Sequence, residues 1–151
     1  MLDILRNRRS IRRFKDKEIE QELIEKLKEA ALRSPTSRGI NPWRFLFVTD
    51  RALLEELSRA KESGSSFLKG TRLSVVIIAM EGESDVWVED CSIASIILQL
   101  TGQSLGLVAP AGSRSLEGNS TKRIKDMGNY PEFPDSSRGK SLWHFAGYCR
   151  E

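Results

Sequence analysis

The order of elements along this chain predicts an α+β domain. Three observations carry that prediction: an amphipathic helical pattern over 17–34, two short strand-like runs at 43–50 and 72–80, and a long, almost uncharged helix from about Val86. The order helix, helix, strand, helix, strand, helix lacks the alternation of a doubly wound parallel sheet. Two strands make no stable sheet by themselves, so further strands must come from the tail or from a partner chain.

The elements follow in order. "DILRNR" is a short helix, and the basic segment after it is extended from Ser10 to Phe14. In "KEIEQELIEKLKEAALRS", Ile19, Leu23, Leu27 and Ala30 recur at helical spacing, with Ile24 and Ala31 widening the stripe. Ser34-Pro35 ends the helix, because a residue before proline is pushed out of the helical region. "SPTSRGINP" is a loop rich in turn formers, and "WRFLFVTD" a short strand. "DRALLEELSRAK" is a helix with Asp50 as its N-cap, and "ESGSSFLKGT" a loop. In "RLSVVIIAM" four consecutive β-branched residues mark a strand buried on both faces. The helix from Val86 is apolar on nearly every side between Ile93 and Leu100, as in a large core or a subunit interface, and Gly106 suits its C-terminus.

Composition bounds the function. With 151 residues, 39% apolar and 30% charged, the chain is one domain of a soluble type. No run approaches the roughly 18 apolar residues that span a bilayer. The start "MLDILRNRRS" has no signal-peptide core, so the expected location is cytoplasmic. Cys91 and Cys149 are too few for a disulfide framework or a metal site and are read as free thiols. A net charge of +3 does not by itself call for nucleic acid.

Three stretches carry candidate chemistry. "RRSIRRF" holds Arg8, Arg9, Ser10, Arg12 and Arg13. Guanidinium groups bind phosphate bidentately, and in an extended segment Ser10 and Arg12 share one side while Arg9 and Arg13 share the other. A phosphate clamp and a solvated basic surface both fit this composition; nucleic acid fits less well, for want of interleaved aromatics. "SPTSRGINPWRF" offers hydroxyls, a guanidinium and an amide beside an aromatic, which suits a ligand loop or a polar connection anchored by Trp43. In "WVEDCSIAS", Glu89 and Asp90 do not face each other on a helix, and they read as carboxylates favouring the helix dipole. No partnered nucleophile, phosphate-binding glycine loop or metal-ligand spacing is present, so an enzyme built this way relies on a cofactor.

Taken together and in this order, "RRSIRRF", "SPTSRGINPWRFLFVTD" and "DVWVEDCSIASIILQLTGQSLGL" resemble the signatures of the nitroreductase family over residues 1–107. The resemblance implies a mixed sheet flanked by helices, with the long apolar helix in the interface of a homodimer. It implies FMN at that interface, with Arg8, Arg9, Ser10 and Arg12 on its phosphate and ribityl chain. Pro35, Thr36, Ser37 and Arg38 come from the second loop, contributed by the other subunit. The implied reaction is ping-pong: NAD(P)H gives hydride to the flavin, and a nitroaromatic, quinone or similar electron-poor acceptor is then reduced. No residue of this sequence is identified for stabilising the reduced flavin. The alternative function is flavin binding without turnover, in an inactive or truncated family member.

From Val108 the family pattern lapses. Leu, Ile and Val number 30 in residues 1–107 and 4 in residues 108–151. A natural divergent tail and a reading-frame shift near Val108 are both open. Ordering a residue's backbone costs about 1–2 kcal/mol, and burying a Leu or Ile returns about 1.5–3 kcal/mol. The 108–151 segment is therefore expected to pack poorly, with at most one edge strand from 141–148.

Overall fold

Strand β2, Leu73–Ala79, is buried at every position, and the other elements are arranged around it. This is a computed structural model, and it describes residues 1–59, 66–79 and 82–108 together with the backbone of 143–150. β1, Trp43–Val48, runs antiparallel along one side of β2, with Trp43 opposite Ala79 and Val48 opposite Ser74. β3 is the short pair Leu107–Val108, and β4 is Trp143–Arg150. β4 lies antiparallel along the other side of β2 and pairs outward with β3, so the order is β1-β2-β4-β3.

The alternation of a strand divides β2 between two cores. Leu73, Val75 and Ile77 face one core, with Ile24, Leu27 and Ala31 of helix α2 (Gln21–Leu32) and Ala94 and Leu98 of helix α4 (Trp87–Ser104). Val76 and Ile78 face the other, with Val48, Leu68, and Leu54 and Leu57 of α3 (Arg51–Ser58). Helices thus cover both faces of the sheet, which is why β2 has no polar side.

Several expectations are sharpened. α2 begins at Gln21, and of the expected stripe of Ile19, Leu23, Ile24, Leu27, Ala30 and Ala31 the fully buried members are Ile24, Leu27 and Ala31. Ile19 precedes the N-cap residue Glu20 and joins the same core as Ile24, the two positions of a hydrophobic staple. Asp50 caps α3 as expected, accepting the Leu53 amide at 2.9 Å. α4 buries Asp90, Cys91, Ala94 and Leu98, while Val88, Ile93 and Ile96 remain 44%, 39% and 43% exposed. A short helix, α1 (Leu2–Asn7), packs against α4 and leaves Leu2 and Leu5 exposed. Gly106, at φ +72, turns the chain out of α4 where a Cβ would be strained.

Two expectations are corrected. A mixed sheet was expected, but every pairing among the described strands is antiparallel. β2 and β3, joined through α4, run in the same direction, but β4 lies between them and takes the hydrogen bonds a parallel ladder would have used. The strand expected at the edge over 141–148 is instead 143–150, bonded on both sides. Backbone pairing with β2 needs no Leu, Ile or Val in the added strand, which is why counting them undervalued it. β3 spans the point where the sequence changes character; residues 109–142 lie outside the described residues. Among the described residues, no helix is long and apolar enough to cross a membrane.

Candidate functional site

The first cluster follows α1. Residues 8–14 adopt neither helix nor strand, and Arg8 has extended angles of φ −60 and ψ 128. The Arg8 guanidinium reaches the Ser10 hydroxyl at 3.5 Å, as two residues on the same side of an extended segment do. Arg9 folds back, donating to the carbonyls of Arg6 at 2.7 Å and Arg8 at 2.9 Å. Arg12 and Arg13 are exposed. Beyond them Asp16 takes ion pairs from Arg72 and, at 3.6 Å, from Arg51, which ties the segment to the start of β2 and to α3.

The pattern of pairing is informative. Arg6, Arg33, Arg38, Arg44, Arg51, Arg59 and Arg72 each meet a carboxylate. Arg8, Arg9, Arg12 and Arg13 meet none among the described residues. Four guanidinium groups within six residues, without counter-charge, make a strongly anion-attracting surface.

The second cluster is the turn between α2 and β1. Pro35 is exposed, and Thr36, Ser37 and Arg38 lead into a single 3-10 turn, Ser37–Gly39. Arg38 and Asn41 both sit at φ +55, a left-handed conformation that side chains with a Cβ rarely adopt. Local bonds support it. The Thr36 hydroxyl donates to the Asn41 side-chain oxygen at 2.9 Å and accepts the Asn41 amide at 3.1 Å. Arg38 forms an ion pair with Asp85, and the Ser37 amide donates to Asp90 Oδ1 at 2.9 Å. The start of α4 therefore holds this loop with two carboxylates. None of the bonds described for the two clusters joins one to the other.

Asp90 adds to the reading of α4. Glu89 and Asp90 both lie in its first turn, as expected for carboxylates favouring the dipole, but Asp90 is 2% exposed and takes the Ser37 amide, whereas Glu89 is exposed. A signal was present in the sequence: Asp90 lies one turn before Ala94 and two before Leu98, on the face that is buried. Its neighbour Cys91 is a free, buried thiol, pushed up to about 12 by burial first and the Asp90 charge second, so it is no nucleophile near neutral pH. The Cys149 thiol lies outside the described side chains. Beside the loop, a cleft of about 400 Å³ opens between α2 and β1, lined by Lys28, Leu32, Asn41, Trp43, Arg44 and Phe45. Among the described residues no group of His, Cys, Asp and Glu is placed to hold a metal ion.

The Nitroreductase family model matches residues 5–68, a span that contains both clusters. A solved FMN-dependent nitroreductase from Clostridium difficile R20291 is 34% identical and superposes with a TM-score of 0.85, over 100% of this chain and 87% of that one. This chain belongs to the nitroreductase family. A second nitroreductase-type structure, from Parabacteroides distasonis and provisionally named an NADH dehydrogenase/NAD(P)H nitroreductase, has a TM-score of 0.83 at 30% identity, over 98% and 84% of the two chains. A protein of Methanothermobacter thermautotrophicus with the same provisional name is 35% identical over 112 residues. That match covers 72% of this chain and 58% of the relative, so this chain spans less than two thirds of that relative's length.

Proposed function

We propose that this chain binds FMN and works as an NAD(P)H-dependent oxidoreductase on electron-poor acceptors such as nitroaromatics or quinones. The observation that carries the reading is the set of arginines left without a carboxylate at 8, 9, 12 and 13 in a chain that pairs its other described arginines. A phosphate monoester supplies the missing charge, and Arg8 with Ser10 supplies donors spaced for one such group. The donor set therefore fits the phosphate end of FMN, as the name of the C. difficile relative suggests.

Arg8, Ser10 and Arg12 hold the phosphate and the adjoining ribityl hydroxyls, with Arg9 bracing the turn after α1. Thr36, Ser37 and Arg38 approach from a loop already held in one conformation, so little ordering remains to oppose binding. FMN, when bound, supplies the redox chemistry, taking hydride from a reduced nicotinamide and passing electrons to the acceptor in a second half-reaction. The protein's part is to fix and orient, and it needs no nucleophile; the one described thiol is suppressed.

We further infer a homodimer that brings the loop of one chain to the arginines of the other. Val88, Ile93 and Ile96 are exposed apolar residues on α4, and Leu2 and Leu5 are exposed on α1, which packs against α4. Exposed apolar residues on two packed helices suit association.

The test is colour. Purified chain reconstituted with FMN is expected to be yellow and to bleach anaerobically with NADH or NADPH. Yellow protein that stays yellow supports the second reading, flavin binding without turnover. Colourless protein after reconstitution overturns both.

A further inference from the structure

We propose that Asp90 is a positioning residue for the 36–39 loop, acting as a helix cap supplied from 53 residues away. The first amides of a helical turn have no acceptor within it and are ordinarily capped by a nearby side chain. Here Thr36 occupies the N-cap position of the Ser37–Gly39 turn, but its hydroxyl is committed to Asn41 and makes no cap bond. The turn's own bonds are Gly39 N–H to the Thr36 carbonyl and Ile40 N–H to the Ser37 carbonyl, both at 3.2 Å. That leaves the amides of Ser37 and Arg38, and Asp90 Oδ1 takes the first of them, Ser37, at 2.9 Å.

The cost of this arrangement separates it from simple packing. Asp90 is 2% exposed and shares the buried face of α4 with Cys91, Ala94, Ser95, Leu98 and Gly102. Its second oxygen, Oδ2, is buried without any hydrogen-bond partner. A carboxylate in that state is destabilising compared with an apolar residue of similar size. What the carboxylate adds is a fixed acceptor for Ser37, and Ser37 opens the turn in which Arg38 is held at φ +55. The other tether, Arg38 to Asp85, joins two largely exposed side chains and is correspondingly weak. Asp90 thus sets where the loop's donors stand before any ligand arrives. Its effect on flavin rests on the FMN reading above; its effect on the loop does not.

The experiment pairs two measurements on the full chain and on Asp90→Ala and Asp90→Asn. Hydrogen exchange at the Ser37 amide is read by NMR without ligand, and FMN affinity by quenching of flavin fluorescence. Asp90→Ala is expected to speed exchange at Ser37 by at least about 10-fold, with α2 unaffected, and to weaken FMN by roughly 10- to 100-fold, the range of one lost charge-assisted bond. Asp90→Asn keeps an oxygen acceptor and is expected to restore both to within about threefold. Unchanged Ser37 exchange in Asp90→Ala overturns the proposal, as does equal FMN affinity in all three proteins. No FMN binding by the wild-type chain overturns the functional reading and with it the flavin role of Asp90, whatever the exchange result. Should Asp90→Ala fail to fold, the wild-type chain still decides: a Ser37 amide exchanging at the unprotected rate overturns the proposal.

Discussion

Arg38 reaches across 47 residues of chain to pair with Asp85, although its own backbone sits in a left-handed conformation. The pair is exposed at both ends, with 62% and 74% of the two side chains accessible. It joins the turn before β1 to the residue just ahead of α4, the same two elements that Ser37 and Asp90 join below the surface.

Solvent screening makes the pair a weak contributor to stability. Asp85→Asn is expected to change the unfolding free energy by less than about 1 kcal/mol. Urea denaturation checks this, and a larger loss would show that the loop depends on the surface pair.

The arginines of the first cluster are not equivalent. The alternation of an extended segment predicts Arg12 on the side of Ser10 and Arg13 on the other. Arg12→Ala is expected to weaken FMN by roughly 10- to 100-fold, and Arg13→Ala by less than about threefold. Both titrations should be run at one ionic strength, because salt screens such contacts. Equal effects would replace the clamp with a diffuse basic surface.

Ile96, 43% exposed on α4, separates a monomer from a dimer. In a monomer Ile96→Glu places a charge in water and is nearly neutral. In the proposed dimer it buries an unpaired charge in the interface, so the variant is expected to sediment as a monomer and to lose FMN. A wild-type chain that sediments as an FMN-bound monomer would refute the shared site.

Leu98 is fully buried between α4, α2 and the sheet. Leu98→Ala is expected to cost about 2–5 kcal/mol through lost transfer energy and the cavity left behind. Equilibrium unfolding measures it, and a cost below about 1 kcal/mol would place Leu98 outside the main core.

Cys91 gives a pH-dependent expectation. Its thiol is raised from 9.0 to about 12 in the folded chain. The unfolded thiol ionises first as pH rises, so this contribution to stability is complete below about pH 9 and is lost progressively from about 9 to about 12. At pH 8, iodoacetamide is expected to leave Cys91 unlabelled in native protein and to label it in urea, read by peptide mass mapping. Rapid native labelling would show that α4 opens.

The sequence by itself determined the local elements and the family. Periodicity located α2, a long, almost uncharged run apolar on nearly every side located α4, the β-branched run located β2, Asp50 announced the cap of α3, and the order of three motifs led to the nitroreductase fold. These are legible because they depend on neighbours within a few residues. Tertiary structure decided the rest. β4 enters the sheet through backbone hydrogen bonds, which no count of apolar side chains detects. Asp90 and Asp85 hold the 36–39 loop across about 50 residues of chain, and Asn41 braces it from a left-handed conformation. A carboxylate in the first turn of a helix looks the same in sequence whether it meets water or a distant amide. Only the packing of α4 against that loop distinguishes the two, because burial and a partner's position are properties of the assembled fold.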